Sequence, residues 1–373
     1  MQESSDHTIL GKLLRKPSAA AATILIFLVF LVGVFAYVIA PDNTPYANRM
    51  IIEHGAREPG FEKQLLYTPV NVRQQSTGFF NELFSGRPSD YTAVPMNGYS
   101  FINDQMLVRH YIDEDLEDTL IYNVSEIYNG PLPASLQEKV KYISEHQVEK
   151  QRFYLGTDRY GRDILSRLIV GARVSIAVGF IAVILSITIG IFLGSLAGYY
   201  GGVVDNAVMW IINILWAIPT LLLVFAITLT IGKGFWEIFI AIGLTMWVSA
   251  ARLIRGQVMA LREMEYVTAA RAIGLSDTRI IFRHILPNIA GPIMVIAASN
   301  FATAILVEAG LSFLGIGVQP PQPSWGLMIK EHYNFLLTNR PLIAIIPGIA
   351  IMILVYAFNV LGNALRDVLD VRS

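Results

Sequence analysis

Six runs of apolar residues, at 19–40, 174–197, 203–230, 235–251, 289–306 and 342–361, approach or exceed the length needed to cross the hydrocarbon core of a bilayer. No other feature limits the fold as strongly. In lipid every backbone polar group has to be satisfied within its own segment, so such runs are expected to be helices. Composition agrees. Of 373 residues, 54% are hydrophobic and 15% charged, against about a quarter charged in soluble domains. The net charge of -1 gives no field that would draw nucleic acid. Without cysteine the chain has no disulfide, thiolate metal site or cysteine nucleophile. The histidines at 7, 54, 110, 146, 284 and 332 show no close ligand spacing, so no metal is expected. The reading is an all-α membrane protein, with no internal repeat or low-complexity tract. A polar segment 1–18 precedes a first spanning helix 19–40, a transmembrane domain occupies 152–366, and 367–373 is a tail.

Pro41, directly after the first run, argues for an uncleaved anchor rather than a signal peptide. From 41 to 151 hydropathy drops and Asp, Glu, Asn and Tyr dominate, so this insert is expected outside the membrane with mixed secondary structure. Asn97-Gly98, flanked by Ala93, Val94, Tyr99 and Phe101, predicts a hairpin turn. Residues 137–150 predict a polar helix. The acidic group Asp113, Glu114, Asp115, Glu117 and Asp118 lacks the spacing of a calcium loop and is read as a solvated face.

Between the fourth and fifth runs, 260–287 carries a helical pattern of its own. Strong helix formers follow Glu265, with Arg262, Glu263 and Arg271 around an apolar row through Met264, Val267 and Ala270. Gly274 is suited to the left-handed residue that ends a helix, and Ser276 to the cap of the next, with Asp277 favourable at its positive end. Ile281 and Ile285 share a face, and Pro287 is expected to stop the second helix. Thr268-Ala269-Ala270, three residues, Gly274, nine residues, then His284-Ile285-Leu286-Pro287 resembles the EAA loop of the permease subunits of bacterial ABC importers. Thr268 stands where that pattern has glutamate and His284 where it has isoleucine. The resemblance implies a cytoplasmic coupling loop, built on Glu265, Thr268, Ala269, Ala270, Arg271, Gly274, Ser276 and Pro287, that docks on a separate ATPase. Small Ala269, Ala270 and Ala272 are expected to let it sit close against that partner.

Two more strings resemble the dipeptide, oligopeptide and nickel branch of these permeases. One is Leu155-Gly-Thr-Asp-Arg-Tyr-Gly-Arg-Asp-Ile-Leu-Ser-Arg-Leu-Ile-Val-Gly-Ala-Arg173. Its Ile164, Leu165, Leu168 and Ile169 against Asp163, Ser166 and Arg167 predict an interfacial helix lying on the membrane. The other, the Pro- and Gly-rich 311–326, reads as a loop at the outer mouth. The resemblance implies the type I importer permease fold, a second homologous permease, two ATPase subunits, an external solute-binding protein and a peptide or related small solute as cargo.

Orientation follows from positive charge. Arg252, Arg255, Arg262, Arg271, Arg279 and Arg283, the N-terminal Lys12, Arg15 and Lys16, and the C-terminal Arg366 and Arg372 fall on one side by parity, which the positive-inside rule assigns to the cytoplasm. The comparably basic 150–173 segment ends a long translocated stretch, where the rule counts for little. Both termini are thus placed inside, and the resemblance implies that the membrane is the bacterial inner membrane.

No Gly-x-x-x-x-Gly-Lys-Ser/Thr loop is present, and Gly232-Lys-Gly234 does not imitate it, so ATP is expected on partner subunits and no cofactor here. Hydrolase signatures are equally absent, and no catalytic residue is assigned. Polar side chains inside the runs mark a candidate substrate path: Asn213, Ser299, Asn300, Thr303 and Glu308. Asn206, Asn359 and Asn363 are further intramembrane polar positions, and hydrogen bonding between helices is the competing reading of all of them. Pro219 should kink the third run. An ion-coupled secondary transporter and a membrane-anchored ligand sensor are the alternative functions. For the first, only Glu308 and Pro219 give a hint, and no repeat is visible; any cytoplasmic loop could also form a helix-turn-helix like 260–287.

Overall fold

A computed structural model describes residues 9–70, 78–131, 134–232, 234–338 and 340–369. His7, Lys233, Arg372 and the end of the 367–373 tail lie outside the described residues. In chain order the main elements are α1 (Pro17–Val34), β1 (Phe61–Pro69), β2 (Tyr91–Ile102), β3 (Gln105–Asp113), β4 (Leu116–Asn123), α2 (Leu136–Tyr142) and β5 (Val148–Phe153). There follow α3 (Ile164–Tyr200), α4 (Gly202–Trp216), α5 (Thr220–Ile231), α6 (Phe235–Arg262), α7 (Glu265–Ala272), α8 (Asp277–Ile280), α9 (Ala290–Phe313), α10 (Trp325–His332) and α11 (Leu342–Leu369). The chain divides into two units: Met1–Gly33 with Ala172–Glu331 and Ile346–Ser373, and Val34–Gly171 with His332–Ile345.

The second unit is built on a five-stranded antiparallel sheet of order β4-β3-β2-β1-β5. Its core collects Leu66, Val94, Met96, Met106, Val108 and, from outside the strands, Val124, Ile127 and Ile143. Met106 and Val108 show the two-residue period expected of a half-buried strand. The Asn97-Gly98 pair is not the hairpin turn. It lies inside β2, where the register against β3 shifts between Met96 and Gly98, a bulge of the kind a glycine accommodates. The turn falls at Asn103-Asp104, with Asn103 at φ 54°. The helix expected over 137–150 is also shorter. Leu136–Tyr142 is α-helical with a Ser135/Glu138 capping box, Ile143–Gln147 widens to a π turn, and Val148 opens β5.

His54 is fully buried among rings, with centroids 5.1 Å from Phe61 and 5.4 Å from Phe153. Burial, with Lys63 and Arg57 adding positive charge, pushes its pKa down to about 3. The unfolded chain takes up a proton near pH 6.5, so stability is intact above that value and is lost as pH falls from about 6.5 toward 3. Between pH 6.5 and 5 the loss should approach ~1.4 kcal/mol per pH unit. Heat-unfolding midpoints of the solubilised chain, followed by tyrosine near-UV signal, should fall over that window and flatten in His54→Phe.

The 155–173 string does not form an interfacial helix. Gly156 and Gly161 take left-handed conformations (φ 78° and 73°) in a tight loop. α3 then starts at Ile164 and runs unbroken to Tyr200. Asp163, Ser166 and Arg167, expected on a wet face, are buried at 3%, 0% and 0% exposure. They face other protein groups instead of water. Asp163 accepts the Ser166 N–H at 2.9 Å, and Ser166 Oγ accepts from Asp42 N at 2.8 Å. Asp158 accepts from Arg162 Nε at 2.6 Å, with Arg167 Nε 4.0 Å and His332 Nε2 3.8 Å away. Burial pushes the Asp158 carboxyl up, but His332, Arg162 and Arg167 together outweigh it and hold the pKa at about 2.

In the first unit α1, α3, α6, α9 with the turns before it, and α11 are long and apolar enough to span a membrane. The third run is not one straight helix. α4 and α5 meet at Pro219 with a bend of 94°, because proline displaces the preceding residue from helical geometry and removes a donor. The unit's main core joins Val174 and Val178 of α3, Val224 of α5, Phe239 and Ile242 of α6, and Ala304 of α9.

Candidate functional site: a coupling elbow and a membrane cavity sharing one helix

α6 extends past its apolar run to Arg262, and the elbow hangs from its end. α7 covers 265–272, and Gly274 at φ 81° turns the chain. The Leu275 N–H then reaches Ala270 O at 3.2 Å, which closes the helix end. Ser276 occupies the cap position of α8 but makes no side-chain cap bond. Asp277 is engaged elsewhere, since its Oδ1 accepts the Tyr199 hydroxyl at 2.7 Å. Pro287 does not stop the second helix. The backbone loosens to a π turn over Ile281–Ile285, tightens to a 3₁₀ turn over Leu286–Ile289, and passes into α9. That adjustment relieves the clash and the missing donor at proline.

The elbow has a dry inner side and an apolar outer tip. Val267, Ala270, Ile280, Ile281, Ile285 and Ile289 bury against Tyr199, Ile254 and Val258. Ala270, expected to face a partner, therefore faces the chain's own core, while Ala269 and Ala272 stay exposed. Glu265, Thr268, Arg271, Ser276 and Pro287 are also exposed. Around them stand apolar side chains that polarity alone does not single out. Ile273 is 77% exposed, and Tyr266 and Phe282 are exposed as well.

Arg262 donates to the Gly198 and Tyr199 carbonyls at 3.3 and 3.1 Å, tying the foot of α6 to the end of α3. Above it these helices meet backbone to backbone. A Cβ on Gly190 would stand 2.6 Å from Ala250 Cβ, on Gly194 2.6 Å from Ala251 O, and on Gly198 2.7 Å from Arg255 O. Glycine at every fourth position of one helix, against Ala250, Ala251 and the Arg255 backbone of the other, is the small-residue packing membrane helices use for close approach. The spacing is legible in the sequence, although no polar residue marks it.

Immediately before the contact with Ala250, α6 supplies Thr245, Met246, Val248 and Ser249 to the wall of a cavity of about 400 Å³. The other walls are Trp216, Pro219 and Thr220 at the α4–α5 bend, and Ser299, Asn300 and Thr303 on α9. Three of the sequence candidates thus come together. Asn300 is tied back to α3 by a 3.2 Å bond from its amide to Ser186 Oγ, and the Thr303 hydroxyl donates to Ser299 O at 3.0 Å. Asn213 lies apart from these walls and accepts from Arg252 at 3.1 Å, and that guanidinium sits 3.9 Å over the Trp216 ring. Glu308 is not in the cavity wall either. It is fully buried and accepts the Ser312 hydroxyl at 2.6 Å, and Ser312 in turn accepts the Val318 N–H at 3.0 Å. Its place is to pin the Gly- and Pro-rich 314–324 segment. Among the described residues no wall of the cavity is charged.

Comparison with known proteins fits this architecture. Residues 190–373 match the family described as the binding-protein-dependent transport system inner membrane component. The glutathione transport system permease protein GsiD of Pectobacterium atrosepticum is 38% identical over 239 residues, 64% of this chain and 79% of the relative. The chain belongs to this permease family. The dipeptide transport system permease protein DppC of Alkalihalophilus pseudofirmus is 44% identical over 217 residues, 58% of this chain and 71% of the relative. For the oligopeptide transport system permease protein OppC of Bacillus subtilis the identity is 43% over the same length and shares. In this permease, then, α6 joins an uncharged cavity, lined by apolar side chains with a few hydroxyls and one amide, to a helical elbow. That arrangement can pass a displacement between them.

Proposed function

We propose that the chain is one membrane-spanning subunit of an ATP-driven importer of peptides. The observation that carries this is the elbow itself: an exposed apolar tip on a segment whose inner side is fused to α3 and α6. The tip is the docking face for an ATPase subunit, in an assembly with a second permease, two ATPases and an external solute-binding protein. The elbow faces the cytoplasm, as its arginines require. Peptide cargo is supported by the names of the relatives and by a cavity that presents no side-chain charge among the described residues. Closure of the ATPases on ATP moves the elbow, and α6 carries that motion to Thr245 and Ser249.

Proteoliposomes holding the permeases, the ATPases and the binding protein should accumulate a labelled tetrapeptide only with ATP inside and binding protein outside. Uptake driven by a sodium or proton gradient without ATPases would overturn the reading.

A further inference from the structure

The insert contains a cleft of about 520 Å³ that the permease mechanism does not use. Its floor is β5, an edge strand whose ladder partner is β1. Gln147, Glu149, Lys150, Gln151 and Arg152 all line it. Successive residues of a strand point to opposite faces, so a space touched by both parities opens onto the strand's edge and not onto one face. Among the described residues no other hydrogen bond occupies that edge over 148–152. An edge left unpaired beside a cavity is a template for a further strand.

The walls define the guest. Tyr67, Tyr91, Tyr142 and Tyr154 present rings, and His146 stacks on Tyr142 at 4.5 Å. Gln147 spends its amide N–H groups on the carbonyls of Tyr67 and Ile127, at 2.9 and 2.7 Å, which fixes one end of the floor. Gln151 Oε1 is buried and unpartnered, an acceptor that an amide N–H would satisfy. Three cations, Arg49, Lys150 and Arg152, stand at the opening against one carboxylate, Glu149; Lys150 and Arg152 are paired with Glu62, and Arg49 lies 3.8 Å from Asp42. Backbone edge and aromatic side walls together suit a peptide chain in extended form. At ~3.3 Å per residue, the edge from 149 to 152 accommodates about four peptide residues. The opposite edge, β4, is guarded instead by exposed Glu117 and Asp118.

We propose that this cleft holds a short peptide in extended conformation, added as a sixth strand along β5. The proposal rests on the reading of the chain as a peptide permease and gives the insert a share in handling the cargo. The test uses the full chain assembled with its partner subunits in nanodiscs, without binding protein, with tritiated tetraalanine as probe. A photoreactive benzoylphenylalanine replaces Tyr142 or, as control, Thr119 on β4. Label should attach from position 142 and not from 119, and excess unlabelled tetraalanine should reduce it at least tenfold. Of two competitors N-methylated at alternate amides, one should compete at least tenfold less well, because only one set of N–H groups faces β5. Equal labelling from both positions, undiminished competition by both methylated peptides, or crosslinking of position 142 to another subunit without peptide would each overturn it. ATP-driven uptake of the same peptide by the complete importer separates the two claims. Uptake without labelling refutes the cleft alone, and absence of uptake refutes the cargo assignment itself.

Discussion

Gly194→Leu should reduce uptake to background and lower the unfolding midpoint of the permease, whereas Gly256→Ala should leave both near wild type. The contrast comes from what each Cβ would meet. At Gly194 it falls 2.6 Å from the Ala251 carbonyl oxygen and 3.0 Å from Ile254 Cβ, while at Gly256 nothing lies within 4 Å. A backbone oxygen cannot move aside as a side-chain tip can, so leucine has to force α3 and α6 apart. Overpacking of this kind costs about 1–3 kcal/mol and occasionally more, and here it also breaks the connection between elbow and cavity. At Gly256 alanine should gain roughly 0.5–1 kcal/mol of helix preference. Uptake in proteoliposomes and heat unfolding in detergent check both outcomes. Full transport by Gly194→Leu would show that the close contact is not needed for the stroke.

The second large effect is expected at the elbow tip. Ile273→Asp should abolish co-purification of the ATPase and cut ATP-driven uptake at least tenfold, yet leave the permease's own unfolding midpoint unchanged. Ile273 is 77% exposed, so a carboxylate there costs the isolated chain little. Against an apolar partner pocket the same carboxylate has to be desolvated without a counter-charge. Ala270→Glu is the complementary case. Ala270 is 6% exposed inside the chain's own cluster, so its replacement should lower stability together with uptake. A pull-down with the ATPase and an unfolding scan distinguish the two. Wild-type ATPase binding by Ile273→Asp would move the docking face elsewhere on the loop.

The apolar runs placed the long helices because, in a chain of this composition, hydrophobic length is a strong signal. They understated α6, which continues from the run's end at 251 to Arg262: hydropathy reports where lipid ends, not where a helix does. Gly274 and the alanines before it made the elbow readable, since a helix end needs a residue tolerant of positive φ. Which way Ala270 points was not readable, because that depends on how α7 packs on Tyr199 and Val258. The polar string at 155–173 misled for a related reason. Alternating polar and apolar residues look the same whether the polar side meets water or, as for Asp158, Arg162 and Arg167, a set of complementary charges. Asn97-Gly98 has turn chemistry, and a strand bulge draws on that chemistry just as a hairpin does. Of the candidate path, Ser299, Asn300 and Thr303 converged because they follow helical spacing on one segment, whereas Asn213 and Glu308 needed the tertiary fold to be placed.

The glycine seam between α3 and α6 also restricts what gating can be. Two rods whose main chains approach this closely have only a thin layer of side chains between them, so neither can flex far alone without prising the seam open. Any stroke delivered at one end has to arrive at the other as a tilt or roll of the joined pair, with its amplitude fixed by geometry and not damped along the way.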